Sequence, residues 1–466
     1  MIKINGASRR KFLSGSASLA GTAGLAAALA NPGNAAAQSV GVKTGDLPDL
    51  TIKEAKVYIT DLGDTGYHPL NTPDHGELVS LTTNSGLEGV YTLGNRNATP
   101  HWLEWAKGRL VGKNLLDLLP SLTSTSGTKG NFGYNANIRR PGAAGAFGRA
   151  PTLGNTSAFN TDGLSGSGAT TRGGGNWPNW HAAAADVILW DILGQAVGRP
   201  IYKLLGGGSG GDGKDKIMAY ASTTHHPTIE EYAPEVVRAK AMNFRAYKIH
   251  PGPGQHRTGK SIPTYVGHME IIRQVRAAAG DEFVLAHDPV QAYNRYEALA
   301  VGRLLDSLNY AWFEDPIRTT DMEGLVELNR TLDLPLHVGE FLFSIADFAD
   351  YISQGALNVV RLIADNVGGI SGSMRVGLLA DAFGLECTPH NWGNPIDLAV
   401  HHHIEMALPN ANWFEVPMPP EAADHPYMDT KYRPDADGYI AAPTLPGLGV
   451  QINRAKLDKL TKRIDR

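Results

Sequence analysis

The chain has 466 residues, 42% of them hydrophobic and 19% charged, which excludes a disordered polar chain or a coiled coil and leaves room for two or three domains. Its net charge of −4 gives no bulk attraction for nucleic acid or anionic lipid. The single cysteine, Cys387, excludes an intramolecular disulfide and any multi-cysteine zinc or iron–sulfur centre.

The first 37 residues read as an address. Ser8-Arg9-Arg10-Lys11-Phe12-Leu13 is basic, residues 19–30 are small and apolar, and Ala35-Ala36-Ala37 offers a small-residue cleavage site. That order is the order of a twin-arginine signal peptide. The apolar part is too short and too weakly hydrophobic to span a bilayer as a stable helix. Cleavage would remove four basic residues and no acid, taking the net charge from −4 to −8. The expected product is a periplasmic or otherwise exported protein with no membrane segment.

Residues 51–59, 77–83 and 89–92 alternate as short strands with a turn at Asn84-Ser85-Gly86, the pattern of an antiparallel meander. Helical periodicity follows over 100–119 and again over 181–197, where Val187, Trp190, Leu193 and Val197 share one face before Gly198 and Pro200 stop the helix. Between these helices, residues 121–180 hold 13 glycines, five basic residues and a single acid, Asp162. Such a segment cannot bury enough apolar surface to fold alone and reads as a long loop or lid. Its tail, Trp177-Pro178-Asn179-Trp180, reads as a surface tryptophan pair packed on its own domain, with closure over a ligand as the alternative.

From about residue 216 the rhythm changes to short apolar strands alternating with helices. The strands fall at 217–222, 245–250, 283–288, 310–315, 336–340, 358–363, 385–390 and 412–416. Eight strands separated by helices over this length predict a closed parallel barrel, and the absence of a glycine-rich nucleotide loop after the first strand argues against a doubly wound sheet. In a barrel, the C-terminal ends of the strands converge on one mouth. The residues there are Asp288, Glu314, Glu340, Asp365, His390 and Glu415, at spacings of 26, 26, 25, 25 and 25. Each step is one strand plus one helix. Carboxylates gathered at one mouth repel unless a cation neutralises them, and Asp288, Glu314 and Glu340 suit a hard divalent ion such as Mg²⁺, with Mn²⁺ as a substitute. On the second strand Lys248 and His250 share one side, because side chains alternate with period two.

The stretches Tyr247-Lys248-Ile249-His250, His287-Asp288-Pro289-Val290-Gln291, Trp312-Phe313-Glu314-Asp315-Pro316-Ile317, Val338-Gly339-Glu340, Gly368-Gly369-Ile370 and Thr388-Pro389-His390 form a specific combination. Together they resemble the enolase superfamily, in its mandelate racemase and muconate lactonizing enzyme-like, acid-sugar dehydratase subgroup. The run 185–194 followed by Tyr202-Lys203-Leu204-Leu205-Gly206 is similar to the link between that family's two domains. The resemblance covers roughly residues 51–451. It implies a modified TIM barrel, (β/α)₇β, over 201–440, an N-terminal α+β capping domain over 50–200 that carries the insert 121–180, and a segment 441–466 that returns to the capping domain. It also implies one Mg²⁺, a small carboxylate substrate of the sugar-acid class and a symmetric homo-oligomer.

The chemistry expected of such a site is proton abstraction. A cation that binds a substrate carboxylate withdraws charge from it, so a base can remove the proton on the adjacent carbon. Proton-handling groups on two sides permit dehydration, racemisation or epimerisation, and cycloisomerisation. The sequence departs from the family pattern twice. His250 stands where the second lysine of a Lys-x-Lys pair is usual, which makes it a candidate acid, or a base of altered pKa, beside Lys248. The position of the aspartate that orients the strand-seven histidine falls on Ile363, while Asp365 lies two residues on with the same parity. Asp365 is therefore expected to pair with His390. Glu415 matches a strand-eight acid that hydrogen-bonds the substrate carboxylate, and Gln291 is a polar contact beside the metal. His401-His402-His403 sits in the helix after strand seven and reads as packing or surface rather than a metal run. His68, in a loop of the N-terminal region, is a candidate lid residue. The two departures also leave open a homologue that binds metal or ligand without catalysis.

Overall fold

A computed structural model describes residues 47–63, 77–93, 99–123, 178–208, 214–251 and 264–466. The N-terminal address, His68, Trp177 and most of the glycine-rich insert lie outside them. Strands β1 (Ile52–Thr60), β2 (Leu78–Thr83) and β3 (Glu88–Thr92) form an antiparallel sheet, turning at Gly86 with φ +86°. On β1, Ile52, Ala55 and Val57 are buried while Lys53 faces solvent, so one side of the strand is core and the other wet. The end of the chain supplies the fourth strand, since β13 (Thr461–Asp465) pairs antiparallel with β1.

The helix expected over 100–119 is two helices, Thr99–Arg109 and Leu115–Thr123. The break has a backbone cause. Gly112 takes φ +81°, and the chain from 112 to 114 runs beside the start of β1, with Ile52 N donating to Lys113 O at 2.9 Å and Gly112 N donating to Ile52 O at 2.8 Å. Asn114 then accepts from Leu116 N through its side chain at 3.0 Å, opening the second helix. The long helix Pro178–Ala196 lies across β3, and Gly89 is what lets it approach: a Cβ there would meet the carbonyl oxygen of Ile188 at 2.6 Å.

Eight parallel strands follow among the described residues, the first seven paired in chain order and the eighth beside the first: β4 (Lys216–Thr223), β5 (Ala246–Ile249), β6 (Val284–His287), β7 (Trp312–Glu314), β8 (Leu336–Val338), β9 (Val359–Val360), β10 (Glu386–Cys387) and β11 (Trp413–Met418). β11 pairs parallel with β4, a short β12 (Tyr439–Ala441) pairs antiparallel with the start of β4, and Cys387 N donates to Asn410 O beside β10. A helix follows each of the first seven strands, which is the expected (β/α)₇β barrel with an N-terminal capping domain. The barrel interior is filled below the mouth by Tyr220, Ala246, Ala286 and Trp312, with Trp312 stacked on His337 at 5.0 Å.

The capping helix docks on the barrel through buried acids. The carboxylate of Asp186 accepts from Ser371 N at 2.9 Å and from Ser371 Oγ at 2.6 Å, at the start of the barrel helix Gly369–Ala382. Asp191 accepts from Leu448 N at 2.9 Å. Gly369, at φ +79°, leaves room for the first of these, because a Cβ there would lie 2.6 Å from Asp186 Oδ2. Burial pushes the Asp186 carboxyl up to about 7. The folded protein therefore binds this proton over a range in which the unfolded chain, near 3.8, does not, and the associated stability is present below about pH 4 and lost as pH rises through about 7. Thermal melting between pH 5 and 8 should show wild type losing more stability than Asp186→Asn, by a few kcal/mol, since about three pKa units correspond to roughly 4 kcal/mol. Parallel pH profiles for the two proteins would contradict this reading of Asp186.

The three consecutive histidines are packing residues. All are buried in the helix Pro395–Ala407. His401 accepts from Ala364 N at 3.2 Å and donates to Asp397 O at 3.0 Å, while His403 accepts from Tyr202 N at 3.1 Å and donates to Leu448 O at 3.2 Å. His402 packs against Phe414 and Tyr432. They hold the inter-domain link and the C-terminal segment against the barrel. Among the described residues no helix is long and apolar enough to cross a membrane.

Candidate active site

The short strands end where the chemistry starts. Asp288 follows β6, Glu314 is the last residue of β7, and Glu340 follows β8 by way of Gly339, whose φ of +141° and crowding by Phe348 leave no room for a side chain. One carboxylate oxygen from each acid lies within 4.8 Å of the others, and all three residues are buried. The donor set fits a hard divalent cation. Asp288 Oδ1 accepts from Val290 N at 2.9 Å, but Glu314 Oε2 and Glu340 Oε2 are buried without a hydrogen bond. Buried carboxylate oxygens left in that state are costly unless a cation or a proton satisfies them. Burial raises both glutamates from their ordinary values, and for Glu340 the neighbouring acids Asp288, Asp315 and Glu314 push further, to well above it.

Lys248 rises from β5 into the middle of this group. Its Nζ lies 2.8 Å from Glu314 Oε1, 2.9 Å from Glu415 Oε1 and 3.3 Å from Asp288 Oδ2. Burial and Arg361 oppose its charge, yet Glu314 and Glu415 hold the ammonium well above the usual lysine range. His250, just past β5, brings Nε2 to 3.7 Å from Asp288 Oδ2. Its ring stacks on His225 at 4.3 Å, and His225 Nδ1 donates to the carbonyl of His250 at 2.9 Å. Burial first, then His225 and Lys248, hold the His250 imidazole well below its ordinary value.

His390 approaches from the loop after β10. Its backbone N donates to Leu362 O at 2.8 Å and its Nε2 lies 3.3 Å from Glu340 Oε2. Burial pushes this imidazole down to about 3. Each imidazole thus stands against a different acid of the cluster, and each keeps about a fifth of its side chain exposed toward the mouth.

The expected pairing of Asp365 with His390 does not form. β9 stops at Val360, and by Ala364 the chain has entered a short helix, Ala364–Val367, where alternation of period two no longer applies. The turn carries Asp365 to the capping domain, where Tyr91 on β3 donates to its Oδ1 at 2.5 Å. Glu415 is on β11 and fully buried, accepting from Asn391 N at 2.7 Å and from Arg361. Gln291 lies on the loop beyond Asp288 at φ +59°, its N donating to Asp315 O at 2.7 Å and its Nε2 buried without a partner.

Sequence reasoning passed over Arg361, His225 and Asp315. Arg361 had a signal: it is the lone charge in the apolar run Val359-Val360-Arg361-Leu362, where a barrel interior admits a cation only with partners. Its guanidinium joins Glu314 Oε1 at 2.6 Å. Asp315 carried no separate signal, being read with Glu314. It is buried at φ +32°, and burial together with Glu314 and Asp288 holds its carboxyl well above the usual range.

Residues 231–456 match the family model described as Enolase C-terminal domain-like. Over these residues the chain matches the enolase superfamily. Among its relatives, arabinonate dehydratase of Saccharolobus solfataricus is 29% identical over 273 residues, covering 58% of this chain and 69% of that protein. L-talarate/galactarate dehydratase of Salmonella typhimurium is 29% identical over 232 residues, 49% of this chain, and this chain spans only 54% of it. The fold is shared with a mandelate racemase/muconate lactonizing protein from Paracoccus denitrificans complexed with magnesium, at TM-score 0.67, 23% identity and coverage of 88% of this chain and 98% of that one. It is shared also with the 3,6-anhydro-D-galactonate cycloisomerase of Zobellia galactanivorans, at TM-score 0.66, 20% identity and coverage of 89% and 100%.

Proposed function

We propose that this enzyme is a Mg²⁺-dependent hydro-lyase that removes the proton next to the carboxylate of a sugar acid and expels the β-hydroxyl as water. The observation that carries the reading is the buried cluster of Asp288, Glu314 and Glu340 with Lys248 inside it and an imidazole against two of its members. The sugar-acid dehydratases among its relatives support the substrate class. Mg²⁺ held by the three acids supplies the positive charge that acidifies the C–H beside a bound carboxylate.

The side chains then handle one proton. A neutral imidazole takes it from the α-carbon, and the imidazolium returns it to the departing β-hydroxyl as the C–O bond breaks. Water leaves, and the enol product collapses to a 2-keto-3-deoxy acid. No outside acid is needed. His390 suits this role, because its positive charge would form beside Glu340, whereas His250 is stacked on a second imidazole that opposes such a charge. Lys248 adds fixed positive charge on the carboxylate side, and His250 limits what fits on the other. If a proton instead returns to the opposite face of the α-carbon before the C–O bond breaks, the outcome is epimerisation without loss of water.

Screening aldonic, aldaric and uronic acids with added Mg²⁺ for 2-keto-3-deoxy products is the test. Turnover of one or more, abolished by EDTA and restored by Mg²⁺, is expected. Exchange of the α-proton with D₂O without loss of water would replace the lyase by an epimerase, and neither reaction across the panel would overturn both. We read residues 1–37 as the export address of this enzyme, and fractionation of expressing cells should place it outside the cytoplasm in a form shortened at its N-terminus.

A further inference from the structure

Arg361 is fully buried, follows β9, and spends its donors on four acceptors. Nε donates to Glu314 Oε1 at 2.6 Å, Nη2 to Glu415 Oε2, and Nη1 to the backbone carbonyls of Thr388 at 3.1 Å and Pro389 at 3.0 Å. These partners come from β7, from β11 and from the loop after β10. A group that only neutralised buried acids would not need the two carbonyls.

Two consequences follow from the geometry. Glu314 Oε1 already takes Lys248 at 2.8 Å as well as Arg361, so the free, buried oxygen of that carboxylate is Oε2. The guanidinium therefore decides which oxygen Glu314 turns toward the acid cluster. The backbone around His390 is also clamped on both sides. Ahead of it, the carbonyls of Thr388 and Pro389 are held by Nη1, and behind it Asn391 N donates at 2.7 Å to Glu415 Oε2, the oxygen that Nη2 holds. Among the described residues no side-chain carboxylate bonds His390 behind its ring, Asp365 being engaged by Tyr91. Its place is set through its own backbone instead.

We propose that Arg361 is a positioning residue that presents Glu314 to the metal and fixes the backbone that carries His390, a role resting on the metal-dependent reading above. A planar fork with donors on three nitrogens can serve four acceptors in fixed directions, while an ammonium of the same charge on a shorter reach cannot. Groups that orient metal ligands without touching the metal typically change affinity or activity by about 10–100-fold when replaced.

The test is Arg361→Lys, studied by calorimetric titration of the substrate-free full-length protein with MgCl₂, and by kcat and KM on the substrate found above. Mg²⁺ affinity is expected to fall about tenfold and kcat about 100-fold, with KM changed by no more than about threefold and the melting temperature lowered, because buried acceptors lose their donor, while the unfolding transition stays cooperative. A folded Arg361→Lys with wild-type Mg²⁺ affinity and kcat would overturn the proposal, because charge alone would then suffice. If that variant does not fold, Glu415→Gln decides the matter. Glu415 is outside the metal-ligand set but also holds Lys248 at 2.9 Å, so the substitution is compared in the Lys248→Met background, where a several-fold loss of Mg²⁺ affinity supports transmission through Arg361 and unchanged affinity overturns it. A wild-type protein that takes up no Mg²⁺ removes the metal reading and this inference together, whereas wild-type uptake matched by both variants removes the inference alone.

Discussion

Glu340→Gln is expected to abolish Mg²⁺ binding and turnover together while making the metal-free protein more resistant to heat. The two effects have one origin. Glu340 is 7% exposed and is held among Asp288, Asp315 and Glu314, whose charges and whose shared burial disfavour its ionised form. Replacing it with an amide relieves this repulsion, which Lys248, spent directly on Glu314, Glu415 and Asp288, offsets only in part. The same amide removes an anionic ligand. Loss of a supporting residue behind a metal ligand already costs about 10–100-fold, so loss of the ligand itself should weaken Mg²⁺ by at least about 100-fold. Melting curves with and without MgCl₂ separate the two effects. In wild type the ion should raise the melting temperature, because it binds the folded state alone, and in Glu340→Gln that rise should vanish from a higher starting point. Retained turnover, or an undiminished response to Mg²⁺, would remove Glu340 from the metal site.

The parts of this site that were legible in the sequence are those fixed by the repeat. A strand and a helix together need about 25 residues here, so acids at 288, 314 and 340 must arrive at the same level of the barrel whatever the helices do in detail. Lys248 was legible for a related reason, because period-two alternation holds within β5. Asp365 was misread because the same alternation was carried past the end of β9 into a helical turn. The single helix expected over 100–119 failed where residues 112–114 found hydrogen-bond partners on β1, a long-range pairing that local periodicity does not contain. Arg361 shows a third limit. A charged residue in an apolar strand announces that partners exist, but which carboxylates and carbonyls it joins depends on three other segments of the chain.

His390→Asn and Asp365→Asn should behave very differently, although a histidine–aspartate dyad would make them alike. In His390→Asn the group that takes the α-proton is gone, and both α-proton exchange in D₂O and dehydration should fall by at least about 10²–10⁴-fold, the usual range for a lost general base. In Asp365→Asn the ring of His390 keeps its 3.3 Å approach to Glu340, and the clamp formed by Arg361 and Asn391 is untouched. Its kcat should stay within about threefold of wild type, because positioning by a carboxylate that is hydrogen-bonded elsewhere contributes little to the proton transfer. What Asp365→Asn should change is the seam between domains, where Tyr91 on β3 donates to that carboxyl at 2.5 Å. Tyr91→Phe removes that hydrogen bond and should cost about 0.5–1.5 kcal/mol in melting experiments, and Asp365→Asn should cost less, because its amide oxygen still accepts from Tyr91. A fall in kcat for Asp365→Asn as deep as that for His390→Asn would mean that the working enzyme re-forms the dyad, with the loop after β9 swung back toward the barrel mouth. Equal exchange rates for His390→Asn and wild type would instead move the proton transfer to His250.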